Sequence, residues 1–478
     1  MTPERQVERL IIEALGHNPT DDQRQACQAI VEFLFSPDPC QAFLLRGYAG
    51  TGKTSLVSAL VKVAPRINIR TQLLAPTGRA AKVFSSYASR KAGTIHKKIY
   101  VTVLDSAGVH RMVRASNRHS YTLFIVDEAS MIGIDRPSQG TGRSLLEDLI
   151  DYVLEGSHCR LLMLGDSAQL PPVGMDVSPA LDIEYLSSVS PLHMSQYEMT
   201  EVVRQQRQSG ILANATAVRC GVTMSAFRPD MLQFKLSGFD DVVRLNGADL
   251  EETLHVLYDS TSPGDVVVVT RSNKRANLFN EAIRSRILFR EGQLNAGDLL
   301  MVARNNYYWV DADSEMGFIA NGDVAEVLSV RNHVELYGFH FVDASLRFVD
   351  YPAAPVIECK LLLETLMSES PALTAAESQR LYESVMEDYA DIPSRAGQHR
   401  ELRRNPYYNA LQVKFSYALT CHKTQGGQWR HVIVDQGYLT DGMLDHAWLR
   451  WLYTALTRAT QRLYLLNFDR RFFTSEKE

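Results

Sequence analysis

Lys53 and Thr54 close the octapeptide Gly47-Tyr48-Ala49-Gly50-Thr51-Gly52-Lys53-Thr54, which fills every fixed position of G-x-x-x-x-G-K-[ST]. Its glycines let successive backbone N–H groups turn into one concavity, where phosphate oxygens are held together with a helix N-terminus. In that arrangement Lys53 reaches the β- and γ-phosphates and Thr54 offers its hydroxyl to Mg²⁺. A second pair, Asp127 and Glu128, ends an apolar run. Asp127 is a candidate Mg²⁺ ligand, direct or through water, and Glu128 a candidate for polarising the attacking water. Gln169, in Gly165-Asp166-Ser167-Ala168-Gln169-Leu170-Pro171-Pro172, is a candidate contact of the γ-phosphate. Together these residues describe a site for ATP and Mg²⁺. The plainer alternatives are a glycine-rich turn and an acid pair that merely opens a helix.

The elements around these residues have the form the chemistry needs. Gln41–Leu45 is an apolar run before the loop, and Ser55–Val63 after it is compatible with helix. Tyr121–Val126 delivers Asp127, and Arg160–Leu164 delivers the Asp166–Gln169 tract. Apolar strands with polar tips, separated by helical segments, predict a parallel α/β sheet that binds its ligand at the strands' carboxyl ends. At 478 residues the chain exceeds one core and predicts two to four domains.

Net charge is −5, yet residues 61–120 carry twelve Lys/Arg against the single acid Asp105. Residues 361–391 show the reverse, seven acids against Arg380. Such asymmetry fits a face for a polyanion on an acidic body, although a basic stretch is most often just solvated surface. No apolar run reaches the roughly 20 residues of a membrane helix. The charged start Met1-Thr2-Pro3-Glu4-Arg5 lacks a signal peptide's apolar core, so a cytoplasmic protein without membrane contact is expected. The six cysteines are scattered without a C-x-x-C pair, which fits reduced thiols.

With these motifs in place the chain resembles the superfamily 1 helicases, specifically the B-type RecD-like and Dda-like group. Thr20-Asp21-Asp22-Gln23 looks like the group's Q motif, with Gln23 reading adenine; it is also a helix capping box, and both readings hold together. Leu73–Lys82, with Pro76, Thr77, Gly78, Arg79 and Lys82, looks like motif Ia, and Thr94–Lys97, with His96 and Lys97, like motif Ib. Thr200–Gln205 is similar to motif IV, whose arginine is Arg204, and Leu452–Ala459 to motif VI, whose arginine is Arg458. Tyr417–Gln428 is similar to motif V: Thr420, His422 and Lys423 are assigned to nucleic acid, and Gly427 to the nucleotide. Relatives carry glutamate where this chain has Gln428, which lowers that position's weight.

The resemblance implies two RecA-like parallel-sheet P-loop motor domains with a small wedge insertion and an SH3-like β-barrel insertion. The expected divisions are 1–195 for the first motor domain, with the wedge at about 98–120 carrying Arg111. The second motor domain takes 196–322 and 406–478, around a barrel at 323–405. Within the barrel insertion, Leu381, Val385 and Tyr389 predict an amphipathic helix across 374–391. The implied activity is an ATP-dependent DNA helicase or translocase, moving 5′ to 3′ on single-stranded DNA and opening forked or partial duplexes as a monomer, with RNA left open. Arg204 and Arg458 would stabilise charge on the transferring phosphoryl group only when the cleft closes. The alternative is a nucleotide-switched remodelling ATPase without processive unwinding. Small-molecule kinase and nuclease readings are weaker, since a second arginine-bearing domain is present and no second carboxylate cluster was found.

Overall fold

The computed structural model describes residues 2–38, 40–104, 110–135, 142–203, 208–224, 231–311, 314 and 316–473; the side chains of 102–104 and 110–112 lie outside the description. In chain order the strands are β1 (Gln41–Gly47), β2 (Arg70–Ala75), β3 (Ala92–Thr94), β4 (Tyr100–Leu104), β5 (His110–Arg114), β6 (Thr122–Val126), β7 (Arg160–Gly165) and β8 (His193–Met199). They continue as β9 (Val242–Leu245), β10 (Val266–Thr270), β11 (Leu299–Val302), β12 (Val324–Leu336), β13 (Phe339–Phe348), β14 (Ile357–Leu362), β15 (Leu411–Phe415), β16 (Ala418–Thr420), β17 (Trp429–Asp435) and β18 (Ala459–Leu466).

The first sheet is parallel with order β3-β2-β6-β7-β1-β8. Its strands are covered on both faces and so read as continuous apolar runs. Alternate residues serve opposite layers. Phe43, Leu45, Leu123 and Ile125 join the core beneath helices Pro3–Leu15, Asp21–Phe35 and Lys53–Val63; Ala42, Leu44, Phe124 and Val126 meet helix Leu145–Glu155. Because β6, β7 and β1 are neighbours, residues 127–128, 166–169 and 47–54 emerge along one edge. β8 pairs with β1 as far as Met199, beyond the expected division at 195, because the parallel ladder continues to the end of β1. β4 and β5 form a separate antiparallel ribbon.

The second sheet is also parallel, with order β16-β10-β17-β18-β9. Helices Gly210–Thr223 and His446–Leu456 cover one face, and Leu250–Ser260 with Asn273–Ala282 the other. Strands β11 to β15 close into a barrel. The barrel is wider in sequence than the expected insertion at 323–405, since β11 and β15 come from its flanks. The physical reason is closure: β11 pairs with both β12 and β15, removing the open edges that β12–β14 alone would present. The acidic segment forms helix Ala375–Glu387, capped by Thr374 and Glu377. Its buried Leu381 and Val385 pack with Leu402 of helix Arg395–Arg404 against Phe339 and Phe341 of β13. Among the described residues no helix is long and apolar enough to cross a membrane.

Candidate functional site

The loop between β1 and helix Lys53–Val63 turns through Gly50 (φ 79°) and Gly52 (φ 87°), both in the left-handed region that favours glycine. A Cβ on Gly52 would stand 2.3 Å from Gln23 Nε2, so the loop and this glutamine are packed together. Gln23 is fully buried; its Oε1 accepts from Thr20 N–H (3.1 Å) and its Nε2 donates to Thr51 O (3.5 Å). The capping box is therefore present, and the amide proposed to read adenine is engaged with the cap and the loop. Lys53 Nζ donates to the carbonyls of Gly47 (2.5 Å) and Tyr48 (3.0 Å), which holds the ammonium over the concavity. Thr54 lies in the first turn of the helix.

Beside the loop, Asp127 Oδ1 accepts from Glu128 N–H (2.8 Å), and Glu128 adopts φ 52°. A left-handed non-glycine residue costs about 1 kcal/mol, and here it turns the acid pair away from the strand direction. Burial, reinforced by the neighbouring Glu128, pushes the Asp127 carboxyl up to about 7; the Glu128 N–H and Lys53 oppose that rise. The Asp127 carboxylate, at the strand tip beside the loop, and the Thr54 hydroxyl are hard oxygen donors of the kind Mg²⁺ takes alongside phosphate. Gln169 is buried, and its Oε1 has no hydrogen-bond partner among the described residues.

The domain built on the second sheet completes the edge. Arg458 is buried, with Nε donating to Thr454 O (3.0 Å) and Nη1 to Gly427 O (3.3 Å), and Nη1 lies 4.0 Å from Glu128 Oε1. Helix His446–Leu456 grips the tract after β7. Leu170 N–H donates to Thr454 Oγ1 (2.9 Å), and Arg450 donates to Ser167 O. Gln425 Nε2 adds a bond to Leu170 O (2.7 Å). Tyr453 OH meets Ala49 N–H at 2.8 Å and Asp166 Oδ2 at 2.7 Å. Arg219 stacks 4.2 Å above the Tyr48 ring. None of Arg450, Tyr453, Thr454, Gln425, Tyr48 or Arg219 was singled out from sequence. The available signal was Arg450 and Thr454, polar residues one turn apart in a largely apolar helix. A Cβ on Gly427 would meet the Trp429 ring at 2.6 Å and Arg79 Nε at 2.9 Å. Arg204 lies outside the described residues.

The residues assigned to nucleic acid divide into two sets. Thr77 caps helix Gly78–Ala88 next to Pro76, while Gly78 is pressed against Asp323. Arg79 stacks 3.8 Å above Trp429 of β17, and burial lowers its guanidinium to about 10. Lys82 pairs with Asp350 (2.9 Å) and donates to Val349 O (3.2 Å) at the barrel's edge. Arg79 and Lys82 thus differ from the expectation: tertiary partners bind their charges, which no local pattern encodes. In the other set, Lys97 is exposed and His96 is half-buried, its imidazole lowered by burial. His422 is exposed, Thr420 stands at the N-cap position of its short helix without a side-chain capping bond, and Lys423 donates to Asn321 Oδ1 (2.8 Å). Arg111 has its backbone in β5; its side chain lies outside the description.

Residues 18–230 match the family described as AAA domain, and residues 415–466 match the UvrD-like helicase C-terminal domain. The ATP-dependent RecD2 DNA helicase of Deinococcus radiodurans is 24% identical over 438 residues, covering 88% of this chain and 46% of that protein. The ATP-dependent DNA helicase dda of Enterobacteria phage T4 is 24% identical over 265 residues, 54% of this chain and 55% of that protein. The chain thus spans about half the length of these two relatives. A crystal structure of a Pif1 helicase from Bacteroides with ADP-AlF3 and ssDNA aligns at 15% identity and a TM-score of 0.48, covering 96% of this chain and 95% of that one. With an AAA-type first half and a UvrD-like second half, the chain is similar to the RecD-like and Dda-like helicases of superfamily 1.

Proposed function

We propose that this chain is an ATP-dependent DNA helicase that translocates on single-stranded DNA and opens forked or partial duplexes as a cytoplasmic, monomeric motor. The observation that carries this reading is Arg458 of the second domain lying 4.0 Å from Glu128 of the first, beside the phosphate loop. An arginine delivered across a cleft stabilises phosphoryl charge only when the two domains close, which links hydrolysis to domain motion. The loop amides and Lys53 would hold the ATP phosphates. Thr54 and Asp127 would hold Mg²⁺, whose positive charge would offset the negative charge of the phosphates. Glu128 would accept hydrogen bonding from the attacking water, for which the orphaned Gln169 Oε1 is a second acceptor. Arg204 is assigned as a further cross-cleft arginine. Lys97, His422 and Lys423 would meet the DNA backbone, with β4 and β5 as the wedge; 5′-to-3′ movement rests on the family resemblance.

The test is ATP hydrolysis with and without single-stranded oligonucleotides, at low and moderate salt, with Lys53→Ala as the blank. Strong stimulation by DNA that weakens as salt rises is expected, with turnover by Lys53→Ala reduced by at least about a hundredfold. One observation favours a second reading, a nucleotide-switched remodeller without processive unwinding: Arg79 and Lys82 are engaged by protein. Hydrolysis indifferent to DNA and RNA would select it.

A further inference from the structure

Tyr453 is buried to 1% of its surface, yet its hydroxyl belongs to neither the apolar core of its own domain nor the arginine arrangement at Arg458. It projects from helix His446–Leu456 into the opposite domain and makes two hydrogen bonds there. The hydroxyl oxygen accepts from Ala49 N–H in the phosphate loop (2.8 Å), and the hydroxyl hydrogen goes to Asp166 Oδ2 at the tip of β7 (2.7 Å). The other oxygen, Asp166 Oδ1, accepts from Ala168 N–H (2.9 Å), one residue before Gln169. One phenol therefore registers the loop, the Gln169 tract and the second domain simultaneously. Burial and the Asp166 charge push this phenol well above its ordinary value, so it remains a donor.

We propose that Tyr453 is a positioning residue that couples domain closure to the conformation of the phosphate loop and the Gln169 tract, and so transmits nucleotide state to the DNA-binding face. The inference rests on the motor reading above. When the domains separate, Ala49 N–H and the Asp166 carboxylate lose their common partner; when they close, both are fixed again. Buried hydrogen-bonding groups left without a partner are costly, so each state of the cleft favours its own arrangement of loop and tract. The two neighbouring contacts, Thr454 Oγ1 with Leu170 N–H and Gln425 Nε2 with Leu170 O, act on the same tract, and Gln425 lies two residues from Lys423, which is assigned above to nucleic acid.

The test compares the parent protein, Tyr453→Phe, Asp166→Asn and the double variant. Single-stranded DNA affinity is measured with ADP and with a non-hydrolysable ATP analogue, and turnover is normalised to sites that bind a fluorescent ADP. The ratio of the two DNA affinities is independent of the fraction of folded protein, so loss of stability alone leaves it unchanged. Tyr453→Phe is expected to bring that ratio close to one and to cut DNA-stimulated kcat about tenfold, with KM for ATP changed less than about threefold. The double variant is expected to be no worse than the poorer single variant, because both disrupt one bond. A parental affinity ratio and kcat in Tyr453→Phe would overturn the proposal, as would effects that simply add in the double variant. A parent protein whose hydrolysis ignores DNA would instead remove the motor reading, and this inference with it.

Discussion

At the nucleotide edge, groups from two domains converge. Arg458 approaches Glu128, Tyr453 joins Ala49 to Asp166, and Thr454 and Gln425 hold the backbone of Leu170. Along helix Gly78–Ala88, by contrast, the cations that sequence assigns to a polyanion lie against protein: Arg79 on Trp429 and Lys82 on Asp350. The first region assembles chemistry from residues that sequence places far apart. The second uses residues that look like ligand contacts to join the first domain to its neighbours. Motif identity therefore predicts where a residue sits more reliably than what its charge faces.

The largest break in this comparison comes from Arg458. An arginine that serves the transferring phosphoryl group contributes on the order of 10³ in turnover, but this one also bonds Thr454 O and Gly427 O. Arg458→Ala is expected to lower DNA-stimulated kcat by at least about a hundredfold while nucleotide affinity stays within about threefold. Steady-state hydrolysis with a nucleotide-binding titration measures both. Equal losses in affinity and turnover would make Arg458 a packing residue of the same kind as Arg79.

The junction around helix Gly78–Ala88 has its own signature. Asp323 is fully buried beneath Gly78; Oδ2 accepts from Ala320 N–H (2.7 Å), and Oδ1 has no partner among the described residues. Burial pushes its carboxyl from 3.8 up to about 7, with Asp350 adding to the rise and the Ala320 N–H opposing it. The folded state therefore holds this proton more tightly than the unfolded state. Its contribution to stability is present below about pH 4 and is lost as pH rises toward 7. Asp323→Asn carries no such titration. Relative to parent, its unfolding free energy is expected to improve by roughly 3 kcal/mol between pH 4.5 and pH 8. Thermal melting across that range measures it, and a difference independent of pH would show that the carboxyl does not titrate there.

What was legible in the sequence follows from how local each feature is. The phosphate loop, the Asp127–Glu128 pair and the Thr20–Gln23 cap depend on residues within one turn or strand end, so pattern and geometry coincide. The parallel sheets were legible because doubly covered strands such as Val266–Thr270 are buried and apolar up to a polar tip. Barrel closure was not, because Leu299–Val302 and Leu411–Phe415 join only through pairing across more than a hundred residues of chain. Tyr453 was hidden for a related reason. Its partners belong to the other domain, and within its own helix it reads as one more buried aromatic. Arg204 and the Arg111 side chain, both legible as motif positions, lie outside the described residues.

The smallest effect sharpens the comparison most directly, because it sets two lysines of the same basic stretch against each other. Both are exposed and both meet protein: Lys97 Nζ would lie 3.0 Å from a Cβ built on Gly317, and Lys82 stands 2.9 Å from Asp350, so the comparison asks which of them also meets phosphate. A cation that neutralises a DNA phosphate releases condensed counterions, so each such contact adds about 0.7 to the slope of log affinity against log salt for a single strand. Lys97→Ala is expected to weaken single-stranded DNA binding about threefold at moderate salt and to reduce that slope by about 0.7. Lys82→Ala removes a charge already matched by a carboxylate, so its slope is expected to equal that of the parent. A salt titration of a labelled oligonucleotide separates the two. If both variants lose the same slope, Lys82 exchanges Asp350 for phosphate when DNA binds, and the barrel contact is then a gate on the nucleic-acid face rather than a fixed joint.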